Sequence, residues 1–162
     1  MIALADRLVP DIVLPVQALW AEALRAAAGP VGLYVLAATS FVAATLAPLG
    51  SEAILLVVVA AQPHHALAAV TIATVANTAG GMTTYALGRW ARRWHTPDAW
   101  RWAPSVQRWG APMAALGWLP GVGDAIVAAT GWLQIDPLAC ALWTAFGRGL
   151  RYIAVAGLAF AL

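Results

Sequence analysis

Read for its apolar and polar positions, the chain divides into long hydrophobic stretches broken at two matching places. Residues Val31–Ala61 form an apolar run interrupted by Pro48, Gly50, Ser51 and Glu52. The limb after the break is short, ending before Gln62-Pro63-His64-His65. About nine helical residues cover roughly 14 Å, half of a hydrocarbon core of about 30 Å, so the pattern predicts a re-entrant hairpin over 31–61. Non-helical backbone at that depth is tolerated where protein encloses it or it lines a wet cavity. Ala66–Gly88 follows as an uninterrupted apolar segment of spanning length. A second broken run, 111–135, is interrupted by Pro120, Gly121, Gly123 and Asp124, and leads through Asp136-Pro137 into a last apolar stretch, Leu138–Leu162.

Two segments depart from this plan. Residues 1–29 alternate apolar and charged positions without a run of spanning length, and Glu22 and Arg25 are spaced to share a helix face. They predict an amphipathic helix on the membrane surface rather than a cleaved leader. The stretch 89–110 carries Arg89, Arg92, Arg93, Arg101 and Arg108 with Trp90, Trp94, Trp100, Trp102 and Trp109. Arginine mixed with tryptophan describes a cytoplasmic interface loop.

Composition makes lipid the natural solvent. Of the 162 residues 62% are hydrophobic and 10% charged, against roughly 45–50% and about 25% in soluble domains. Such an excess cannot be hidden in a core of this size. The net charge is +2 and every basic residue is arginine, which bears on membrane orientation and anionic lipid rather than nucleic acid. The lone Cys140 excludes an intrachain disulfide and a cysteine metal cluster. The expected architecture is therefore an all-α, multi-pass membrane protein. It has an N-terminal amphipathic segment (1–29) and one membrane domain (30–162), in which two opposed hairpins are each followed by a transmembrane helix. With the basic loop cytoplasmic, the halves form an inverted repeat, and transporters place substrate between such repeats.

Charged residues inside the apolar runs are the candidate chemistry, because an acid at membrane depth costs roughly 2.5–3.5 kcal/mol on the mildest scale and usually meets a partner or water. Glu52 and Asp124 can be helix-start residues, or groups that take up and release protons. Arg148 and Arg151, on one face of the last span with Tyr152 beside them, can pair with those acids or bind a lipid phosphate bidentately. In 66–88, Ala73, Asn77, Gly80, Gly81, Thr84, Tyr85 and Gly88 form a small, polar face suited to close helix packing. Asn77 and Tyr85 can also reach broken backbone or a ligand. No motif assigns an enzyme, a metal or a cofactor.

Taken together, these residues resemble the DedA-type membrane proteins (the SNARE-associated or VTT-domain superfamily), and most closely their small YqaA-like branch. The resemblance rests on Leu49–Ala53, Asn77–Arg89, Trp118–Asp124, Ala129–Leu133 and Gly147–Tyr152. It implies a bacterial inner-membrane protein with two opposed re-entrant hairpins, linked to moving polyprenyl phosphates or phospholipids across the bilayer and to the proton gradient. It also implies that Glu52 is the family's acidic residue of the first hairpin. The chain departs from the pattern at Gly123-Asp124, where typical members carry an arginine; Arg148 and Arg151 are the positive charges available instead. The expected function is transport of an anionic lipid, with substrate held by Arg148, Arg151, Tyr152, Asn77 and Tyr85 and proton coupling at Glu52 and Asp124. A non-transporting scaffold with structural charges is the alternative, and a homo-oligomer is left open.

Overall fold

The computed structural model describes residues 19, 21–45, 50–93, 103–119 and 122–161. Three of the expected hairpin-break residues, Pro48, Pro120 and Gly121, lie outside the described residues, as do Trp94, Trp100, Arg101 and Trp102. All regular structure among the described residues is helical. The elements are α1 (21–27), α2 (Gly32–Thr45), α3 (Ser51–Ala61), a 3₁₀ turn (Pro63–His65) running into α4 (Ala66–Ala91), α5 (Ala103–Trp109), a 3₁₀ helix (Ala111–Trp118), α6 (Val122–Trp132) and α7 (Pro137–Ala161).

Local chemistry sets these boundaries. Gly50 adopts φ 115°, a left-handed conformation that resets the chain before α3. Pro63 sits in the first turn of the 3₁₀ segment that opens α4, where its missing N–H costs nothing. The basic stretch does not begin as a loop: α4 continues through Arg89-Trp90-Ala91, residues with no helix breaker among them, and 103–109 is helical as well. Ala111–Trp118, expected as the first limb of a second hairpin, is a 3₁₀ helix rather than an α-helix.

α4 is the structural axis. It packs against α2, α3, α6 and α7. Its buried stripe, Ala69, Ala73, Asn77, Gly80, Gly81, Tyr85 and Gly88, recurs at spacings that follow the helical turn. Close approach needs the glycines: a Cβ on Gly80 would lie 2.6 Å from the Phe41 carbonyl of α2, and one on Gly88 would lie 2.0 Å from the Ala128 carbonyl of α6. The α6 side is reciprocal, since a Cβ on Gly131 would meet the Tyr85 carbonyl at 2.0 Å. Between helices in lipid no hydrophobic force acts, so backbone-close dispersion contacts of this kind carry association.

Three apolar clusters result. One joins Leu36, Ile54, Leu55, Val58 and Val59 to Ala73 of α4 and Tyr152 of α7, and α1 contributes Ala27 to it. Smaller clusters around α6 unite Tyr85, Ala114, Val127 and Cys140, and Val106, Ile126 and Ala129. The main packing pairs are unchanged when α2, α3 and α4 are exchanged with the 3₁₀ helix, α6 and α7. Thus α2·α4 corresponds to the 3₁₀ helix with α7, and α4·α6 to α7·α3.

α7 is polar inside and apolar outside. Leu138, Leu142, Phe146, Leu150 and Ile153 are exposed along one face, while Cys140, Thr144, Arg148 and Tyr152 are buried on the other. Exposed apolar surface of this extent suits a lipid environment. By length and apolarity one described helix, Pro63–Ala91, suffices to cross a membrane. α7 was expected to do the same; it has 25 residues, but Arg148 and Arg151 reduce its apolar character.

A substitution pair tests the packing. Gly131→Ala places a methyl into the backbone of α4 and is expected to cost about 3 kcal/mol, read as a lowered unfolding temperature in detergent. Gly157→Ala in α7, where a Cβ meets nothing within 4 Å, should be neutral or stabilising by up to about 1 kcal/mol.

Candidate functional site

Glu52 and Asp124 occupy equivalent places, each in the first turn of a short helix (α3 and α6). Unsatisfied amides at such a terminus favour a negative side chain. Both acids face α7, where Arg148 and Arg151 stand one turn apart. The Nη2 of Arg151 lies 3.0 Å from Glu52 Oε1, and that of Arg148 lies 3.3 Å from Asp124 Oδ1.

Arg148 is the more deeply set, at 2% exposure. Its Nη1 donates to Asn77 Oδ1 at 2.6 Å and to the Asn77 backbone carbonyl. Asn77 in turn donates through Nδ2 to the Ser40 carbonyl at 2.9 Å, so one side chain ties α2 to α7 across α4. The approach of Arg148 to the Asn77 carbonyl depends on Gly81, one turn further along α4. A Cβ there would lie 2.9 Å from Arg148 Nη2. Asn77 and Gly81 thus form a notch in α4 that receives a guanidinium.

Arg151 is held differently. Its Nη1 donates to the Trp118 carbonyl at 3.2 Å. Glu52 Oε2 accepts from Ser51 Oγ at 3.4 Å, and Ser51 accepts from the Tyr152 hydroxyl at 3.1 Å. The ion pair is therefore fastened to both α3 and the 3₁₀ helix. Among the described residues the Nε atoms of Arg148 and Arg151 are buried without a hydrogen-bond partner.

Two cavities adjoin this cluster. Ser51, Asn77, Gly117, Asp124, Arg148 and Arg151 line one of about 20 Å³, room for about one water molecule. The second, about 390 Å³, is an apolar groove between the 3₁₀ helix and α7, lined by Leu116, Phe146, Leu150 and Ala154 and bounded by Trp118 and Arg151. That volume falls within the range of ligand pockets, roughly 300–1,000 Å³. Trp118 and Arg151 border both spaces.

Of the residues singled out in the sequence, the structure assembles Glu52, Asp124, Asn77, Arg148, Arg151, Ser51 and Gly123's helix start in one place. Tyr152 and Tyr85 were expected to hold substrate, and neither lines the charged cavity. Tyr152 is fully buried with its hydroxyl committed to Ser51. Tyr85, two turns along α4 from Asn77, donates to the Ile135 carbonyl at 2.6 Å and lines a different cavity. Sequence reasoning overlooked Trp118 as an anchor and took Gly81 as packing alone. The signal was available in the Asn77–Gly81 spacing of one helical turn.

The geometry can be set beside known proteins. The inner membrane protein YqaA of Escherichia coli (strain K12) is 36% identical over 129 residues, covering 76% of this chain and 88% of that protein. The chain belongs to the YqaA-like family. YqaA of Shigella flexneri matches to the same extent. An uncharacterized protein of Haemophilus influenzae is 36% identical over 129 residues, covering 72% of this chain and 80% of its own. No known family profile matches the sequence, and no solved structure matches it. As a member of this family, the YqaA-like chain is a protein of the bacterial inner membrane.

The unequal setting of the two ion pairs predicts unequal losses. Side-chain exposure is 3% and 40% for Arg148 and Asp124, and 19% and 28% for Arg151 and Glu52. Arg148→Gln removes the partner of Asp124, leaves the Asn77 acceptors buried without their donor, and should cost about 3 kcal/mol of stability. Arg151→Gln should cost on the order of 1 kcal/mol. Exchanging the charges (Glu52→Arg with Arg151→Glu) should recover most of the second loss. Equal destabilisation by the two single variants in detergent unfolding would contradict this ranking.

Proposed function

We propose that this YqaA-like protein binds an anionic lipid between its two hairpins and moves the head group across the bilayer, with proton exchange at Glu52 gating the step. One observation carries the reading: the apolar groove ends on Arg151 and Trp118, which also wall the charged cavity. A hydrocarbon chain in the groove would set its phosphate beside Arg151, a group that binds phosphate oxygens in fork geometry.

In this reading α2–α3, and the 3₁₀ helix with α6, are re-entrant hairpins of opposite direction, while α4 and α7 span. Helices of 14 and 11 residues (α2 and α3) reach only about 21 and 17 Å, short of a hydrocarbon core of about 30 Å. The corresponding packing pairs of the two halves support an inverted repeat. The chemical cycle is an exchange of anions on Arg151. With Glu52 ionised, its carboxylate occupies the guanidinium at 3.0 Å. When Glu52 takes up a proton the pair dissolves and Arg151 accepts the lipid phosphate; loss of the proton returns the carboxylate and expels the lipid. Asp124, paired with the deeper Arg148, is the second proton-coupling candidate.

The non-transporting scaffold draws on a specific observation of its own. All four charges of the cluster are paired, and the cavity beside them, about 20 Å³, is too small for a head group. Transport therefore requires the hairpins to part, whereas a scaffold does not.

Reconstitution into liposomes with a head-group accessibility assay separates the two. Lipid exchange above that of empty liposomes is expected, falling at least about tenfold in Glu52→Gln and Arg148→Ala. Gly81→Ala, whose methyl would lie 2.9 Å from Arg148 Nη2 without altering charge, should also slow it. Exchange that is absent in the parent protein, or unchanged in Glu52→Gln and Arg148→Ala, would favour the scaffold.

A further inference from the structure

We propose a second lipid site: the C-terminal end of α4 holds the phosphate of an anionic membrane lipid at the interface, apart from the central charge cluster. A cavity of about 550 Å³ lies there, lined by Arg89, Arg92, Arg93, Trp90, Tyr85 and Gln134. None of its lining residues borders the central cavity or the apolar groove.

Charge identifies the ligand. Arg89, Arg92 and Arg93 lie within one turn and converge on the same space, and no acid among the described residues is within ion-pair distance of them. Three guanidinium groups around one cavity suit a phosphate, whose oxygens can accept from several donors at once. Location identifies the source. α4, with the 3₁₀ turn before it, is long and apolar enough to cross the membrane, so its last turn emerges at head-group level. Trp90 beside the arginines is the residue type enriched at that depth. Basic pockets on this side of a helix bundle suit lipid head groups.

The cavity is also built, rather than left over. Arg89 Nη1 donates to the Tyr85 hydroxyl at 3.4 Å, and that hydroxyl donates to the Ile135 carbonyl at 2.6 Å, fixing Arg89 to the α6–α7 connection. Opposite stands Gln134. α6 ends in a Schellman arrangement, with Gln134 N–H bonding to Gly131 O at 3.0 Å and Ile135 N–H to Thr130 O at 3.1 Å. The residue that closes such a cap is left-handed, and glycine is the one that does so with least strain. Here it is glutamine, at φ 58°, and its side chain lines the cavity. Strain kept in this way points to use of the side chain, and an amide can donate to a phosphate oxygen or a glycerol hydroxyl.

The test titrates the full chain in detergent with dioctanoyl phosphatidic acid, with dioctanoyl phosphatidylcholine and inorganic phosphate as parallel arms. The phosphatidic acid should bind saturably and far more tightly than the other two. Arg89→Gln/Arg92→Gln/Arg93→Gln should raise its Kd at least about tenfold with the unfolding temperature unchanged. Gln134→Gly should raise the Kd by a few-fold while raising the unfolding temperature, a split that a merely structural glutamine would not produce. Arg108→Gln, on an exposed position of α5 outside the cavity, should bind as the parent does, so that a general loss of positive charge does not account for the effect. An unchanged Kd in the triple variant, or equal binding of phosphatidylcholine, would overturn the site. Inorganic phosphate binding as tightly as the lipid would overturn the lipid assignment.

Discussion

Arg148 carries its charge at 2% exposure, beside a cavity with room for about one water molecule. An ion there costs several kcal/mol unless nearby groups replace its hydration, and the surrounding elements are arranged to supply that replacement. α6 contributes the Asp124 carboxylate, α4 contributes the two oxygens of Asn77, and Gly81 withholds a side chain so that the guanidinium can come close. Through Asn77 the same contact reaches Ser40 of α2. Four helices are therefore registered by one residue, and the glycine contacts along α4 and α6 operate at distances that this registration permits.

The distribution of polarity follows from the solvent. In water a small domain turns apolar residues inward; this chain turns apolar faces of α7 outward and keeps threonine, arginine and tyrosine hydroxyl within. Hydrogen bonds and close dispersion contacts then have to supply the cohesion that hydrophobic burial supplies elsewhere. Tyr152 illustrates this, filling the core with its ring while its hydroxyl holds Ser51 at the start of α3.

Much of this was legible in the residues. Glu52 and Asp124 stood out because charges in apolar runs are expensive, and the same cost assigned them opposite charges on α7. The small face of α4 announced close packing. Other features were hidden for physical reasons. Tyr85 and Tyr152 are residues whose ring and hydroxyl serve different masters, so sequence position alone could not say whether the hydroxyl would meet a ligand or a backbone carbonyl. Gly81 reads as packing until the approaching partner is known to be a guanidinium. Gln134 gives no sign of a left-handed backbone, because its conformation is dictated by the capping bonds around it. The 3₁₀ helix Ala111–Trp118 packs on α7 and α6, partners that its own residues do not name.

The exchange relation between the two groups of helices has a consequence for symmetry. In such a scaffold the two halves share one set of packing partners, although α4 meets α6 more extensively than α7 meets α3. The charges are not distributed that way: both arginines reside on α7, and α4 carries an asparagine and glycines where a counterpart arginine would stand. Electrostatics therefore distinguishes the two halves where the pairing of elements does not. The likeness of the two halves is a likeness of packing, and the charge cluster is anchored to one of them, on α7.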